Sequence, residues 1–219
     1  MPAPLVLALL CVLATGIATA LAIAGRMRGP MWLHFLGKPL ILPPLLVATY
    51  WLPSLLPANA RVFLTAALVL AWLGDIALMF RRGFVPGLLS FLLAHVSYLL
   101  TFAVELEWRW GQLAWLVVVV PLLFLGLRGV LRRVGRLKIP IVIYASTLTL
   151  VSWRLLARVD RLEQIGARSC VLGIAGGLLF VLADSLLVRR RFAEAKIPYW
   201  LELGSYAASQ ACIVGATLS

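Results

Sequence analysis

The stretch "WLGDIALMFRRGFVPGLLSFLLAHVSYLLTF" (72–102) decides the fold. It joins the tail of one apolar run to most of the next, and only Arg81, Arg82 and Gly83 lie between them. A helix needs roughly 20 apolar residues to cross a hydrocarbon core about 30 Å thick. Asp75 sits inside the first run. Turned to lipid, a carboxylate there costs several kcal/mol, so the helix must present it to protein or to a wet cavity. A lone hairpin has no such interior. The stretch therefore implies a bundle of many helices.

The remainder of the chain supplies them. Of its 219 residues, 63% are hydrophobic and 13% charged, with a mean hydropathy of +1.03. That composition leaves no charged shell for a soluble domain. Apolar runs predict eight spans, near 5–25, 38–56, 62–80, 84–104, 112–131, 139–157, 170–188 and 198–217, in one integral membrane domain over 1–219. The runs are continuous and lack the alternation of a lipid-facing strand, which excludes a barrel. The expected fold is an all-α polytopic bundle. The first run has no basic segment before it, and Arg26 and Arg28 come after it. It reads as a retained helix, not a cleaved signal peptide.

The net charge of +12 is spread over short loops. No aromatic-interleaved basic patch appears, so the charge reads as topological and no nucleic-acid partner is expected. Four loops repeat one pattern, basic residues and then a proline that opens the next span: Arg26, Arg28, Lys38 and Pro39; Arg81, Arg82 and Pro86; Arg128 through Lys138 and Pro140; Arg189 to Arg191, Lys196 and Pro198. Proline suits a first helical turn, where its missing N–H has no partner to lose. These loops hold 14 of the 20 Lys and Arg; Arg61, Arg109, Arg154, Arg158, Arg161 and Arg168 are assigned to the other three. The positive-inside rule puts the first set in the cytoplasm and both termini outside.

The chain also repeats internally. Asp75 is followed by Leu78, Arg81, Arg82 and Phe84, and Asp184 by Leu187, Arg190, Arg191 and Phe192. A Ser–Tyr pair follows each phenylalanine at matched spacing, Ser97-Tyr98 and Ser205-Tyr206. Copies four spans apart run in the same direction, which is a parallel duplication of a four-helix unit.

Both aspartates precede their basic loops by about six residues, so both lie roughly 8–9 Å inside the cytoplasmic helix ends at 1.5 Å per residue. Ala67, Ala71 and Asp75 form one stripe, and Gly173, Gly177 and Asp184 another. Small residues let helices approach, so both carboxyls should face the bundle. Glu202, Tyr206 and Gln210 share a stripe, as do His95 and Tyr98. These polar groups need partners in lipid, and the aspartates are the nearest candidates; helix-to-helix hydrogen bonds alone would also account for them. Lys38 and Pro39 open the second span, with Pro43 and Pro44 a turn later. Paired prolines free carbonyls and bend a helix, which survives only against protein or a wet cavity. Lys38 at its mouth suits a phosphate, or simply snorkels to the interface. Cys11, Cys170 and Cys212 have no metal spacing, and no HxxxH or HExxH occurs, so no metal and no cofactor are expected. Trp32, Trp51, Trp108, Trp110 and Trp200 read as interface anchors. Glu202 has no assigned role.

The stretch 72–102 resembles the YhhN-like family of membrane proteins, whose characterised members are lysoplasmalogenases. "GGLLFVLADSLLVRRRF" (176–192) with "GSYAASQACIVGA" (204–216) resembles its second signature, and "GKPLILPPLL" (37–46) its early lysine–proline element. Ala183 stands where serine is expected, a mild departure. The resemblance implies an integral protein of the bacterial inner membrane. It implies hydrolysis of the vinyl ether of a lysophospholipid, giving a fatty aldehyde and a glycerophospho-alcohol.

Two carboxyls suit that reaction. A vinyl ether is hydrolysed by slow protonation of its β-carbon, and water traps the oxocarbenium ion that results. One carboxyl gives the proton and the other steadies the cation and accepts a proton from water, a division of labour that glycosidases also use. Carboxyls enclosed together do not both ionise freely, so the pair is expected to keep one proton. Asp75 and Asp184 are the expected catalytic pair, His95, Tyr98, Tyr206 and Gln210 would orient water and the ether oxygen, and Lys38 would hold the phosphate. A proton-coupled transporter using the same aspartates is the alternative, and a structural or lipid-binding role is the third reading.

Overall fold

The computed structural model describes residues 3–218, and they are helical from end to end apart from short turns. The helices are α1 (Ala3–Met27), α2 (Met31–Gly37), α3 (Pro43–Trp51), α4 (Ala58–Ala77), α5 (Phe84–Glu105), α6 (Leu116–Leu127), α7 (Lys138–Ala157), α8 (Leu162–Phe192) and α9 (Tyr199–Ala216). Six segments are long and apolar enough to cross a bilayer: 3–27, 31–51, 58–77, 84–105, 110–127 and 135–192. This is an integral membrane protein. The last segment contains both α7 and α8, which join at a tight turn, Arg158–Arg161, and pack on each other. The eighth apolar run corresponds to α9, which is not among the six. Its Glu202, Ser205, Tyr206, Ser209 and Gln210 lower its hydropathy, and all five are buried against other helices.

The bend expected in the second span is present. It starts at Met31, upstream of the expected residue 38, and breaks between α2 and α3 around a short 3-10 turn, Lys38–Leu40. Pro43 has no N–H for the carbonyl of Pro39, and the indole Nε1 of Trp72 donates to it instead, at 2.7 Å. The Thr15 hydroxyl donates to Ile41 O at 3.1 Å. The irregular backbone is thus satisfied by protein. Close contact with α1 makes this possible, because a Cβ at Gly37 would fall 2.5 Å from the backbone nitrogen of Ala22.

Two hairpins, α4–α5 and α8–α9, pack tightly within themselves. Ser90 Oγ donates to Leu70 O across the first (2.6 Å), and Ser209 Oγ to Gly176 O across the second (3.0 Å). α7 lies against both α5 and α8. α8 carries one non-helical residue, Gly166, whose φ of +78° is open to glycine and strained for other residues.

One reading of the charges needs correction. Arg154 lies inside α7 and Arg158 in the turn that follows it, yet neither is a surface charge: both are buried, Arg158 completely. Arg158 pairs with Glu105 at 2.7 Å and donates to Ala216 O at 2.9 Å. Arg154 donates to Gln112 Oε1 at 2.8 Å and to the carbonyls of Phe102 and Leu106. A guanidinium presents several donors in a fixed fork, so it can tie the frayed ends of several helices at once. The sequence signs these residues only as positive, and burial depends on Glu105 and Gln112 coming from elsewhere in the chain.

Candidate functional site

Both aspartates point inward. On α4, Ala67, Ala71, Gly74 and Asp75 are buried along one face. A Cβ at Gly74 would meet the Phe91 ring at 2.7 Å, so the glycine lets α5 close over the carboxylate. On α8, Gly173, Gly176, Gly177 and Asp184 are buried. Gly177 rests on the Ser152 backbone of α7 and Gly176 on Ile213 of α9.

Each carboxylate accepts from a tyrosine. Tyr206 OH donates to Asp75 Oδ2 at 2.7 Å, and Tyr144 OH donates to Asp184 Oδ2 at 2.6 Å. The second neighbours differ. Lys38 Nζ lies 3.6 Å from Asp75 Oδ1, a buried ion pair. Asp184 instead faces His95 Nε2 at 3.7 Å, and that nitrogen has no hydrogen-bond partner. The His95 ring is held at a tilt against Tyr144, with centroids 4.6 Å apart, and edge-on to Phe180 at 5.0 Å.

One small cavity of about 40 Å3 reaches both aspartates, with Lys38, Tyr206, Phe91 and Glu202 also in its wall. Beyond it lies a vestibule of about 290 Å3, which shares Lys38, Tyr199 and Glu202 with the inner chamber and adds Arg26, Arg81, Arg190 and Arg191. Glu202 accepts from Arg190 through Nε and Nη2, the latter at 2.8 Å, and the guanidinium covers the Tyr199 ring at 5.5 Å. The Arg190–Glu202 pair therefore stands at the passage between the two spaces.

Of the residues singled out in the sequence, Lys38, Asp75, Asp184 and Tyr206 meet in the chamber wall. His95 touches Asp184 from outside that wall. Tyr98 and Gln210 bond each other, phenol to amide oxygen, and do not line the chamber. Lys38, expected at a phosphate, sits beside Asp75 and lines both the chamber and the arginine-rich vestibule. Tyr144 was missed, although a phenol in an apolar span needs a partner as much as Tyr98 or Tyr206 does. Arg190 was read only as a topological charge. Among the described residues no three His, Cys, Asp or Glu side chains converge as metal ligands.

The sequence model described as the YhhN family matches residues 33–217. The chain belongs to the YhhN family. The match begins within α2 and takes in every residue of the chamber. No curated protein and no solved structure matches this YhhN chain.

Proposed function

We propose that this YhhN-family protein hydrolyses the vinyl ether of lysoplasmalogens to a fatty aldehyde and a glycerophospho-alcohol. The observation that carries this reading is one small cavity bordered by both Asp75 and Asp184 and adjoining a cationic vestibule. The neighbours of the two carboxyls divide their roles. The Lys38 ammonium steadies Asp75 as the anion. At Asp184, Thr147 Oγ1 already donates to Tyr144 O at 2.8 Å, so it offers His95 Nδ1 a lone pair at 3.4 Å. His95 Nε2 then faces Asp184 as an acceptor, which fits a protonated carboxyl.

Asp184 gives its proton to the β-carbon, and the oxocarbenium ion forms beside the Asp75 carboxylate. Water adds to the α-carbon and yields a proton to Asp75. The hemiacetal loses the glycerophospho-alcohol, its hydroxyl proton passing to the departing oxygen, and leaves the aldehyde. The proton on Asp75 returns to Asp184 within the chamber. The phosphate falls to the vestibule, where Arg81 and Arg191 offer guanidinium forks to its oxygens and Arg190, already holding Glu202, adds its charge.

The same reading takes the bundle as eight spans and a parallel duplication. The α4–α5 and α8–α9 hairpins support it. The corresponding Phe84 and Phe192 meet edge to face at 5.4 Å, as residues beside a pseudo-two-fold axis do. Tyr206 of one copy bonds Asp75 of the other. The vestibule then faces the cytoplasm, with both termini outside the inner membrane.

Aldehyde release from a lysoplasmalogen in detergent tests the mechanism. Asp75→Asn and Asp184→Asn are each expected to lose about 10² or more in rate, the usual worth of general acid–base catalysis. Wild-type turnover in both variants would remove it. Solute uptake into proteoliposomes under a pH gradient, with no aldehyde formed, would favour the carrier.

A further inference from the structure

The vestibule carries more positive charge than one phosphodiester needs. Its wall gathers guanidiniums from separate parts of the chain: Arg26 at the end of α1, Arg81 in the turn between α4 and α5, and Arg190 and Arg191 at the end of α8. Two cations in that wall are already neutralised, Lys38 by Asp75 and Arg190 by Glu202. Among the described residues, Arg26, Arg81 and Arg191 have no carboxylate within ion-pairing distance. Three guanidiniums are left over around a space of about 290 Å3. The basic connections do not converge there wholesale. Arg28, Arg82 and Arg189 are neighbours of these residues in the chain and lie outside the wall.

The same wall serves an ammonium group badly. An ammonium settles against a carboxylate or over an open aromatic face. Glu202 is the only carboxylate in the wall, and Arg190 already spans it through Nε and Nη2. The Tyr199 and Phe84 rings lie under guanidiniums, Arg190 at 5.5 Å and Arg191 at 5.1 Å. Phe35 and Phe80 complete the aromatic set, and the three uncompensated guanidiniums share their space.

We propose that the vestibule selects lysophospholipids whose headgroup is anionic and carries no amine, a phosphodiester of an uncharged alcohol such as glycerol, over the zwitterionic ethanolamine and choline lipids. This assignment rests on the hydrolase reading above and deepens it by naming the headgroup. The phosphate takes the forks of Arg81 and Arg191. An uncharged alcohol then adds no repulsion, whereas an ammonium meets Arg26 and the other guanidiniums with no free carboxylate to offset them. Discrimination comes from that repulsion more than from any added contact.

The test uses the whole protein in uncharged detergent and a radiolabelled, saturated alkyl-ether lysophospholipid with a glycerol headgroup, which cannot be hydrolysed. Unlabelled lipid with the same headgroup is expected to displace it about tenfold better than the ethanolamine or choline counterpart. Arg81→Glu, at an exposed turn, should abolish that preference. Arg82→Glu makes the same change of charge one residue away, outside the wall, and should leave the preference intact. Equal displacement by all three headgroups would overturn the proposal. So would equal loss of preference in Arg82→Glu, which would mean that general basicity attracts the lipid. Displacement by inorganic phosphate at the same concentrations would overturn it too, because the wall would then hold a free anion and not a headgroup. Aldehyde release from the alkenyl counterparts should follow the same order in kcat/KM. The expected order of binding with no aldehyde from any headgroup would uphold the vestibule and remove the hydrolase, so the two failures are distinguishable.

Discussion

Lys38 illustrates how far a single residue can be read. Its place beside Pro39 and before Pro43-Pro44 marks it as a cation at a helix break, and a phosphate is the natural partner to expect there. At the edge of the vestibule, the side chain also lies 3.6 Å from Asp75. The two roles differ in kinetics. A phosphate ligand affects binding, whereas a counterion to the carboxylate affects the chemical step. Lys38→Met is accordingly expected to lower kcat on the order of 10- to 100-fold, about 1.5–3 kcal/mol for a charged contact, with a smaller change in KM. A raised KM at unchanged kcat in steady-state assays would return Lys38 to the phosphate. Glu202 gains its role in the same way: unassigned in the sequence, it is held by Arg190 at the mouth of the chamber.

At the scale of elements, the hydrophobic runs identify helices well because lipid leaves the backbone no other way to satisfy itself. They identify helix faces less well. α7 is buried almost throughout its second half, from Val151 to Ala157, and its Arg154 and the following Arg158 were placed in a loop for their charge. Both are anchors inside the bundle. Removing one partner of a buried pair leaves an uncompensated charge, whereas removing both together is far milder. Arg158→Met is expected to cost about 3–5 kcal/mol, and Glu105→Leu combined with Arg158→Met is expected to recover most of it. Unfolding in detergent measures the difference, and equal losses in the single and double variants would mean that the pair is not coupled.

At the scale of the molecule, setting the buried Arg154 and Arg158 aside sharpens the charge asymmetry. With Lys38, buried against Asp75, set aside on the same ground, thirteen Lys and Arg belong to the four proline-marked connections and four to the other three: Arg61, Arg109, Arg161 and Arg168. The expected topology has both termini outside. A C-terminal reporter that is active only beyond the cytoplasm should therefore be active, and the same reporter fused within the 128–138 loop should be silent. The reverse pattern would invert the proposed orientation and put the vestibule on the other face.

The sequence by itself determined a membrane bundle, its family and two aspartates turned inward. Each of these follows from the cost of a polar group in hydrocarbon, which any local stretch of chain records. Only the tertiary structure decided which partner each aspartate keeps: Lys38 and Tyr206 for Asp75, Tyr144 and His95 for Asp184. Those partners come from separate helices, and the angle at which helices pack depends on glycines and prolines acting together across the whole bundle, which no single stretch contains.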